Sequence, residues 1–262
     1  MRVPIAHAEG RFLFNSDLED EILKNNLITY KYCDSSGNLS NDFPINPNGS
    51  LHSAAALSNP NGNVMAIMPH PERTLGNEAD DLFKSMRNYM ESDDHFSFKS
   101  LNFSSKKINI KKFKKPAKQN EILVSTIIAD NEAASVEKCI NSLGVKAKVK
   151  KYLHFEIDAI ERLDINTIIS TDVLFNPSKE YITNIKEGSD IYRFLVRSKD
   201  DIVGQSLAQT LQDRFNLSGL KSIKKGVVWE VKINSSRAKK DVDLILNSHI
   251  FSNPISQECH EY

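Results

Sequence analysis

A histidine and a glutamate that could act together lie in the segment Met68-Pro69-His70-Pro71-Glu72-Arg73, directly after an apolar run. Proline on both sides restrains the backbone of His70, and Pro71 disfavours helical geometry there. In an extended stretch, side chains two residues apart project to the same side. Glu72 could then accept one imidazole N–H and leave the other ring nitrogen as a base. The residues alone leave two interpretations open, a structural turn and a catalytic dyad.

A second histidine–acid pair, His7 and Glu9, follows Pro4 near the N-terminus, and it could be structural or could contribute to a binding site. The remaining histidines show no ligand spacing, so we expect no metal site. They are His52, His95, His154, His249 and His260.

Three cysteines, Cys33, Cys139 and Cys259, are widely separated and form no C-x-x-C pair. This predicts neither a disulfide framework nor a thiolate zinc site. None has the flanking glycines of a strand-to-helix turn that exposes and activates a nucleophile. We expect Cys139, on a predicted helix, to pack in the core.

The elements that must position these residues fall into three regions. Residues 1–91 alternate turn-forming clusters with short apolar runs, which predicts strands over 27–32 and 64–68. Apolar residues at helical spacing predict an amphipathic helix over 78–91, with its stripe in the core. The stripe is Leu82, Phe83, Met86 and Met90.

Residues 92–120 are rich in lysine and poor in apolar side chains, which predicts a solvated linker. Contact with nucleic acid would need aromatic residues interleaved with the lysines, and within residues 99–118 only Phe103 and Phe113 meet this condition.

An internal repeat divides the rest of the chain into residues 121–188 and 189–262. The segment Val149–Ile157 matches Ile223–Val231, and the segment after Leu174 matches the one after Ile250. Each copy predicts a βαββαβ unit, with a hairpin turn or bulge at Gly226 in the second. Because one copy is too small to bury much surface, we expect the two to pack as a pseudo-twofold domain.

Composition excludes several classes of protein. The 262 residues carry 34 basic and 34 acidic side chains, so no net field attracts polyanions or anionic lipid. No run of 18 apolar residues and no apolar leader occurs, which predicts a cytoplasmic protein without nucleic-acid or membrane partners.

Three linked segments resemble one family. They are Pro4–Phe12, Asn46–Ser50 and Gly62–Arg73, and they are similar in order and spacing to the C-terminal part of the glutaminase subunit (PurQ type) of phosphoribosylformylglycinamidine synthase. The resemblance implies that His70 and Glu72 serve a cysteine nucleophile in a class I amidotransferase. It places His7, Glu9 and Arg73 in binding or docking roles. Ala8 stands where the family has glycine.

The sequence also departs from this family. The family's cysteine lies in a glycine-flanked turn well upstream of the first segment, and this chain has no such turn. We therefore expect that Met1 is an internal or misassigned start, or that the gene is split. Alone, the chain should not hydrolyse glutamine.

The second copy of the repeat resembles the small bridging subunit (PurS type) of the same synthase. The resemblance rests on the strand around Gly226 and on the closing Leu246–Pro254 element. The first copy, with Tyr152 at the matching position, is more divergent. A tandem copy would supply covalently the pair that the family forms as a homodimer.

Together these resemblances imply a fold and a function. The fold class is α/β, an incomplete class I amidotransferase domain, followed by α+β tandem repeats that form a pseudo-dimer. The function is glutamine-dependent amidation of formylglycinamide ribonucleotide within a complex. Its partners are a synthetase (PurL type) subunit, which binds ATP and magnesium, and a glutaminase fragment or longer reading frame. The alternatives are a non-catalytic scaffold of that complex and a small-molecule regulatory module.

Overall fold

The structure is a computed structural model that describes residues 1–7, 10–74, 78–92, 100–101, 108, 110–115, 120–160 and 163–262. The chain divides into two compact units, residues 1–105 and residues 106–262. Both units mix helices and sheet, and each is described by itself.

The first unit begins with helix α1, Ser16–Lys24. Asn15 caps it, because the side-chain oxygen of Asn15 accepts a hydrogen bond from the Leu18 N–H at 2.8 Å. Asp17 and Glu19 lie in the first turn and Lys24 in the last, which suits the helix dipole.

The described part of this unit contains an antiparallel sheet in the order β1-β2-β3. Its strands are β1 (Ile28–Lys31), β2 (Ala54–Ser58) and β3 (Met65–Ile67). A short 3-10 turn at Leu51–Ser53 precedes β2, and another at Pro71–Arg73 follows β3. The sequence predicts β1 and β3. The three alanines that begin the central strand β2 are all buried.

Helix α2, Asp80–Glu91, follows the sheet in the chain. The helix is where the sequence predicts it, but the expected core stripe is wrong. Leu82 is buried, whereas Phe83, Met86 and Met90 are exposed. These three residues form one apolar helix face that the described residues leave open to solvent.

The second unit contains one sheet in the order β4-β10-β8-β9-β6-β5-β7 within the described residues. In chain order its elements are β4 (Lys111–Lys112), β5 (Asn120–Thr126), α3 (Asn131–Ser142), β6 (Ala147–Ala159), α4 (Ile165–Ile169), β7 (Glu180–Thr183), β8 (Ile191–Ser198), α5 (Ile202–Phe215), β9 (Leu220–Ile233), α6 (Ala238–Asn247) and β10 (Gln257–Glu261).

The two repeats have the same strand order, read outward from the central antiparallel pair of β6 and β9. When the repeated segments are aligned, one ladder maps onto the other. Asn120 pairs with Ile157 in the first half as Tyr192 pairs with Val231 in the second. Likewise Leu123 pairs with Thr183, and Leu195 with His260. Corresponding residues therefore occupy corresponding places in the sheet.

The hydrophobic cores combine helices and strands of both repeats. One core joins Ile140 of α3, from the first repeat, to Trp229 and Ile245 of the second. The other joins Leu211 of α5, from the second repeat, to Phe155 of the first. Neither repeat holds a complete core of its own.

Each repeat has the order β-α-β-α-β and not the expected βαββαβ, because one long strand, β6 or β9, replaces the two middle strands. Gly226 makes neither the expected hairpin turn nor a bulge, since β9 runs without a break from Leu220 to Ile233. A Cβ atom at Gly226 would lie 2.9 Å from the Val196 carbonyl oxygen and 2.9 Å from Leu195 Cδ1. The glycine therefore allows β8 and β9 to approach closely.

Part of the segment expected to be a solvated linker is built into this sheet. Strand β4 pairs in parallel with β10, with Lys111 beside His260. The Phe113 ring stacks on the Tyr262 ring at 5.6 Å between centroids. The sequence hides this because a two-residue strand of lysines carries no apolar alternation.

Candidate functional site

The three segments that resemble a family meet in the first unit. The side-chain N–H of Asn48 donates to the Gly10 carbonyl at 2.9 Å. A Cβ atom built at Gly10 would lie 2.4 Å from Met68 Cε, so Gly10 and the end of the Met68 side chain are in close contact. The first, second and third segments are thus brought into contact.

The Asn46–Ser50 loop fixes the backbone that follows Gly10. The Phe12 N–H donates to Ser50 Oγ at 3.0 Å, and the Leu51 N–H donates back to the Phe12 carbonyl at 2.9 Å. Buried Asn46 closes the loop by donating to the Ser50 carbonyl at 2.8 Å. The Asn46–Ser50 loop, which looks like an ordinary turn in the sequence, therefore holds the first segment in place by hydrogen bonds.

His70 and Glu72 contact each other directly. His70 Nδ1 lies 2.7 Å from Glu72 Oε1, and the side chains are 40% and 58% exposed. The stretch is a 3-10 turn at Pro71–Arg73 and not the extended segment expected, because Pro71 occupies its first position and the Arg73 N–H donates to the His70 carbonyl. Among the described residues, Nε2 of His70 has no hydrogen-bond partner.

Charge at this turn favours an ionised carboxylate. The hydrogen bond from its own backbone N–H and the bond from His70 lower the pKa of Glu72 below its ordinary value. Arg73 adds a weaker influence, with Nε 3.8 Å from Glu72 Oε1. An ionised Glu72 holds the Nδ1–H tautomer of His70 and leaves Nε2 to accept a proton.

His7 lies in a more enclosed polar contact. Its Nε2 is 2.7 Å from the Tyr32 hydroxyl, to which the Asn48 side chain donates at 3.3 Å. Burial lowers the pKa of His7, and nearby His70 lowers it further, against a backbone bond at Met68. Burial raises the pKa of Tyr32 to about 12. His7 is therefore neutral, while Glu9 lies outside the described residues.

Sequence reasoning misses Tyr32 and Asn48. Tyr32 contacts His7 and Asn48 contacts Tyr32, and the two contacts join residues 25 and 16 positions apart in the sequence. Their only local signals are the end of a strand and an asparagine in a turn.

The three cysteines are free thiols. Cys33 and Cys139 are exposed, so the expectation that Cys139 packs in the core is wrong. Cys139 lies on the outer face of α3, whose buried residues are Ala133 and Ile140. Burial raises the pKa of Cys259 to about 11. A raised pKa keeps that thiol protonated and unreactive at neutral pH.

A histidine–carboxylate contact is not unusual in this chain. His52 Nε2 lies 2.6 Å from Glu19 Oε1, and His154 Nε2 lies 2.5 Å from Glu121 Oε1. His154 is fully buried in the second unit and cannot reach a substrate. The pair at His70 differs because it lies at a junction of three segments and keeps one ring nitrogen accessible.

A cavity of about 290 Å³ lies in the second unit, at the end of β5. Its Lys151 is 2.5 Å from Glu132 and 3.5 Å from Asp130. Burial opposes the charged lysine, but these carboxylates outweigh it and raise the pKa of Lys151. The lysine charge is thus already balanced, which leaves no cationic site for an anion.

The described residues contain neither a group of metal-binding side chains nor a helix that could span a membrane. No three His, Cys, Asp or Glu side chains are grouped so that they could hold a metal ion. No helix in those ranges has both the length and the apolar character needed to cross a bilayer.

Comparison with known proteins bears on the first unit. Residues 1–101 match the CobB/CobQ-like glutamine amidotransferase domain. A *Methanocaldococcus jannaschii* relative, phosphoribosylformylglycinamidine synthase subunit PurQ, is 44% identical over 96 residues, which cover 34% of this chain and 40% of that protein. Residues 1–101 are homologous to a PurQ-type glutamine amidotransferase domain.

Two further relatives agree with this PurQ-type assignment. The PurQ subunit of *Methanococcus maripaludis* strain C5 is 46% identical over 74 residues, which are 28% of each protein. The phosphoribosylformylglycinamidine synthase of *Saccharomyces cerevisiae* is 42% identical over 79 residues, 29% of this chain and 6% of that one. The chain spans 40% or less of the length of each of these three relatives. The PurQ resemblance predicted from sequence is confirmed for residues 1–101, and the PurS resemblance stays a prediction.

Proposed function

We propose that this chain is a component of phosphoribosylformylglycinamidine synthase in purine biosynthesis, and that its first unit supplies two members of a glutaminase triad. The observation that carries the proposal is the 2.7 Å contact between His70 and Glu72 on an exposed turn. The turn lies within the region homologous to PurQ subunits.

In this proposal His70 is the general acid and base. Its Nε2 takes the proton of a cysteine thiol as the sulfur attacks the amide carbon of glutamine, and gives it to the departing ammonia. Water then hydrolyses the thioester and releases glutamate. Glu72 holds the imidazole in the required tautomer and stabilises its charged form. His7 and Arg73, with Glu9, would serve substrate binding or docking.

The nucleophile would come from outside these 262 residues, on a longer chain or a separate polypeptide. The first unit has surfaces that suit such a partner. The apolar face of α2 is exposed, and the described residues add no further strand at the outer edges of β1 and β3. Apolar faces and open edges of this kind favour burial against another segment.

For the second unit we propose a tandem PurS-type pair that bridges the glutaminase and a PurL-type synthetase subunit. The identical strand order of the halves and the matching ladders support this. Covalent linkage would hold one copy near the other at an effective concentration of about millimolar.

In the assembled complex, ammonia would pass to the synthetase subunit, which would use ATP and magnesium to activate formylglycinamide ribonucleotide. This chain would bind neither ATP nor magnesium. Its proposed location is the cytoplasm.

The proposal can be tested by joining the cysteine-bearing upstream part of the *M. jannaschii* PurQ subunit to the N-terminus of this chain. We expect glutamate release from glutamine by the joined protein and none by the 262-residue chain. His70→Asn should lower the rate by about 100-fold or more, because the proton transfer is lost. Glu72→Gln should lower it by about tenfold or more, because the carboxylate no longer supports the imidazolium.

His52→Asn is the matched control. It removes the other histidine–carboxylate pair of this unit, and asparagine tolerates the positive φ of 55° at that position. Its rate should stay within about twofold of the parent. A joined protein that folds, assembles with the synthetase and releases no glutamate would overturn the catalytic proposal in favour of a scaffold.

A further inference from the structure

One edge of the second unit exposes four large apolar side chains. Ile127 and Ile128 follow β5 and are 62% and 64% exposed, while Tyr181 and Ile182 on β7 are 46% and 41% exposed. The two segments are adjacent, because the Ile127 N–H donates to the Lys179 carbonyl at 2.8 Å. We call these four residues the β7 edge patch.

The repeat provides an internal comparison for this patch. In the second half, the Lys199 N–H donates to the Ser256 carbonyl at 3.0 Å, as Ile127 does to Lys179. The side chain of Gln257 accepts from the Asn253 N–H, as Glu180 does from Asn176. The two edges therefore superpose residue by residue.

At three of the four matching positions the second half carries a charged residue. Lys199, Asp200, Glu258 and Cys259 stand where the first half has Ile127, Ile128, Tyr181 and Ile182. The apolar character of the patch is thus not demanded by the fold, since the same backbone accepts charged residues.

The second edge is also covered. Strand β4 pairs with β10, and Ile110 and Cys259 both pack against the same hydrophobic core. No strand in the described residues covers the outer edge of β7. The structure thus shows that an edge of this sheet accepts an added strand, and that the apolar edge is the one left open.

We propose that the β7 edge patch is an interface with a second copy of this chain, in which β7 pairs antiparallel with β7 of the other copy. Pairing about a twofold axis at Tyr181 places this residue opposite its counterpart and Ile182 opposite Glu180, and it opposes no like charges along Lys179–Thr183. A basic strand such as Lys111–Lys112 suits the acidic edge of β10, which carries Glu258 and Glu261, and would gain less beside Tyr181 and Ile182.

The flanking isoleucines are needed for this interface. A four-residue strand pair buries far less than the roughly 1,200 Å² of a stable interface. Ile127 and Ile128 extend the contact beyond the strand, and we expect dissociation constants on the order of 10 µM.

The test is sedimentation equilibrium of the full chain. We expect a monomer–dimer equilibrium that Tyr181→Glu and Ile127→Lys, alone or together, shift at least tenfold towards monomer. Each substitution introduces the residue found at the matching position of the second half, so the fold should tolerate it. Thermal melting by circular dichroism checks this. Gln257→Glu is the matched control, because it copies Glu180 onto the covered edge and should leave the equilibrium unchanged.

Hydrogen exchange gives a measurement without substitutions. Backbone amides of β7 that face outward should gain protection as protein concentration rises, while amides elsewhere in the unit should not. A chain that stays monomeric at about 100 µM, or a dimer that the Tyr181 and Ile127 variants leave intact, overturns the proposal. Neither outcome bears on the glutaminase site, which the joined protein tests separately.

Discussion

At the scale of single residues, the turn at Pro71–Arg73 shows how far local sequence predicts chemistry. The pairing of His70 with Glu72 follows from spacing and proline restraint, and the structure has it at 2.7 Å. The backbone that achieves it is a 3-10 turn, which local rules did not indicate. The contact of His7 with Tyr32 could not be predicted, because it depends on how β1 is placed beside the first segment.

Titration of Glu72 tests this local arrangement. Its pKa is lowered by hydrogen bonds to the charged form, so the contact favours the folded state above the ordinary pKa of 4.5 and is lost as the pH falls through the lowered value. Carbon-detected NMR of the full chain should show Glu72 titrating below 4.5. In His70→Asn the titration should move upwards. An unchanged midpoint in that variant would show that the imidazole does not hold the carboxylate.

His154 is a fully buried polar residue in the second unit, and we expect it to contribute to stability. It contacts Glu121 at 2.5 Å, while Arg197 lies 3.0 Å from Glu156 beside it. Burial opposes ionisation of Glu121, but its bonds from His154 and Tyr262 outweigh burial and lower its pKa. Among the described residues, buried Glu156 Oε1 and Arg197 Nε have no hydrogen-bond partner.

We expect His154→Ala to lower the free energy of unfolding by about 3 kcal/mol, because the substitution opens a cavity and Glu121 loses one of its two partners while still largely buried. Denaturant unfolding followed by circular dichroism measures the change. The control is His260→Ala, whose partner Glu258 is mostly exposed, and it should cost less than about 1 kcal/mol. Equal losses in the two variants would contradict this account.

At the scale of elements, the sequence predicts the helices of the second unit closely, because each repeat supports the other. The sequence does not show that the two middle strands of each expected βαββαβ unit are one long strand, β6 or β9. It fails where a residue serves contact between strands. Gly226 looks like a turn residue in the sequence, yet its role is set by Val196 and Leu195 on the neighbouring strand. It fails again at α2, where an amphipathic pattern cannot say whether anything covers the apolar face.

Gly226→Ala should destabilise the second unit by about 2 kcal/mol or more, because the added methyl group overlaps the Val196 carbonyl. The midpoint of thermal unfolding measures this. Gly144→Asn is a suitable control, since Gly144 has φ 84° and open space around it, and asparagine tolerates that conformation. If Gly226→Ala is as stable as the parent, β8 and β9 can separate without cost and the close approach is not required.

At the scale of the whole molecule, the cores of the second unit are shared between repeats. The sequence predicts that the two copies pack together, but it does not predict that α3 and α5 each pack in a core built from strands of both copies. Local periodicity identifies a helix and its buried face without identifying the strands beneath it.

Separated repeats should therefore not fold alone. We expect residues 106–188 and residues 189–262, made as separate chains, to lack cooperative thermal unfolding, because each loses half of both cores. Mixing them should restore a cooperative transition that depends on concentration. A sharp, concentration-independent transition in either piece alone would show that one repeat is self-sufficient.

The linkage of the two halves has a consequence for what such a protein can become. In a dimer of identical subunits, every substitution occurs twice, so both outer edges of the sheet must change together. In a tandem chain the two edges can differ, as they do at the matching positions Ile127 and Lys199. The edge at β7 can then bind another copy, while the edge at β10 is covered by β4 of the same chain. The two ends of a nearly twofold sheet would therefore have different functions.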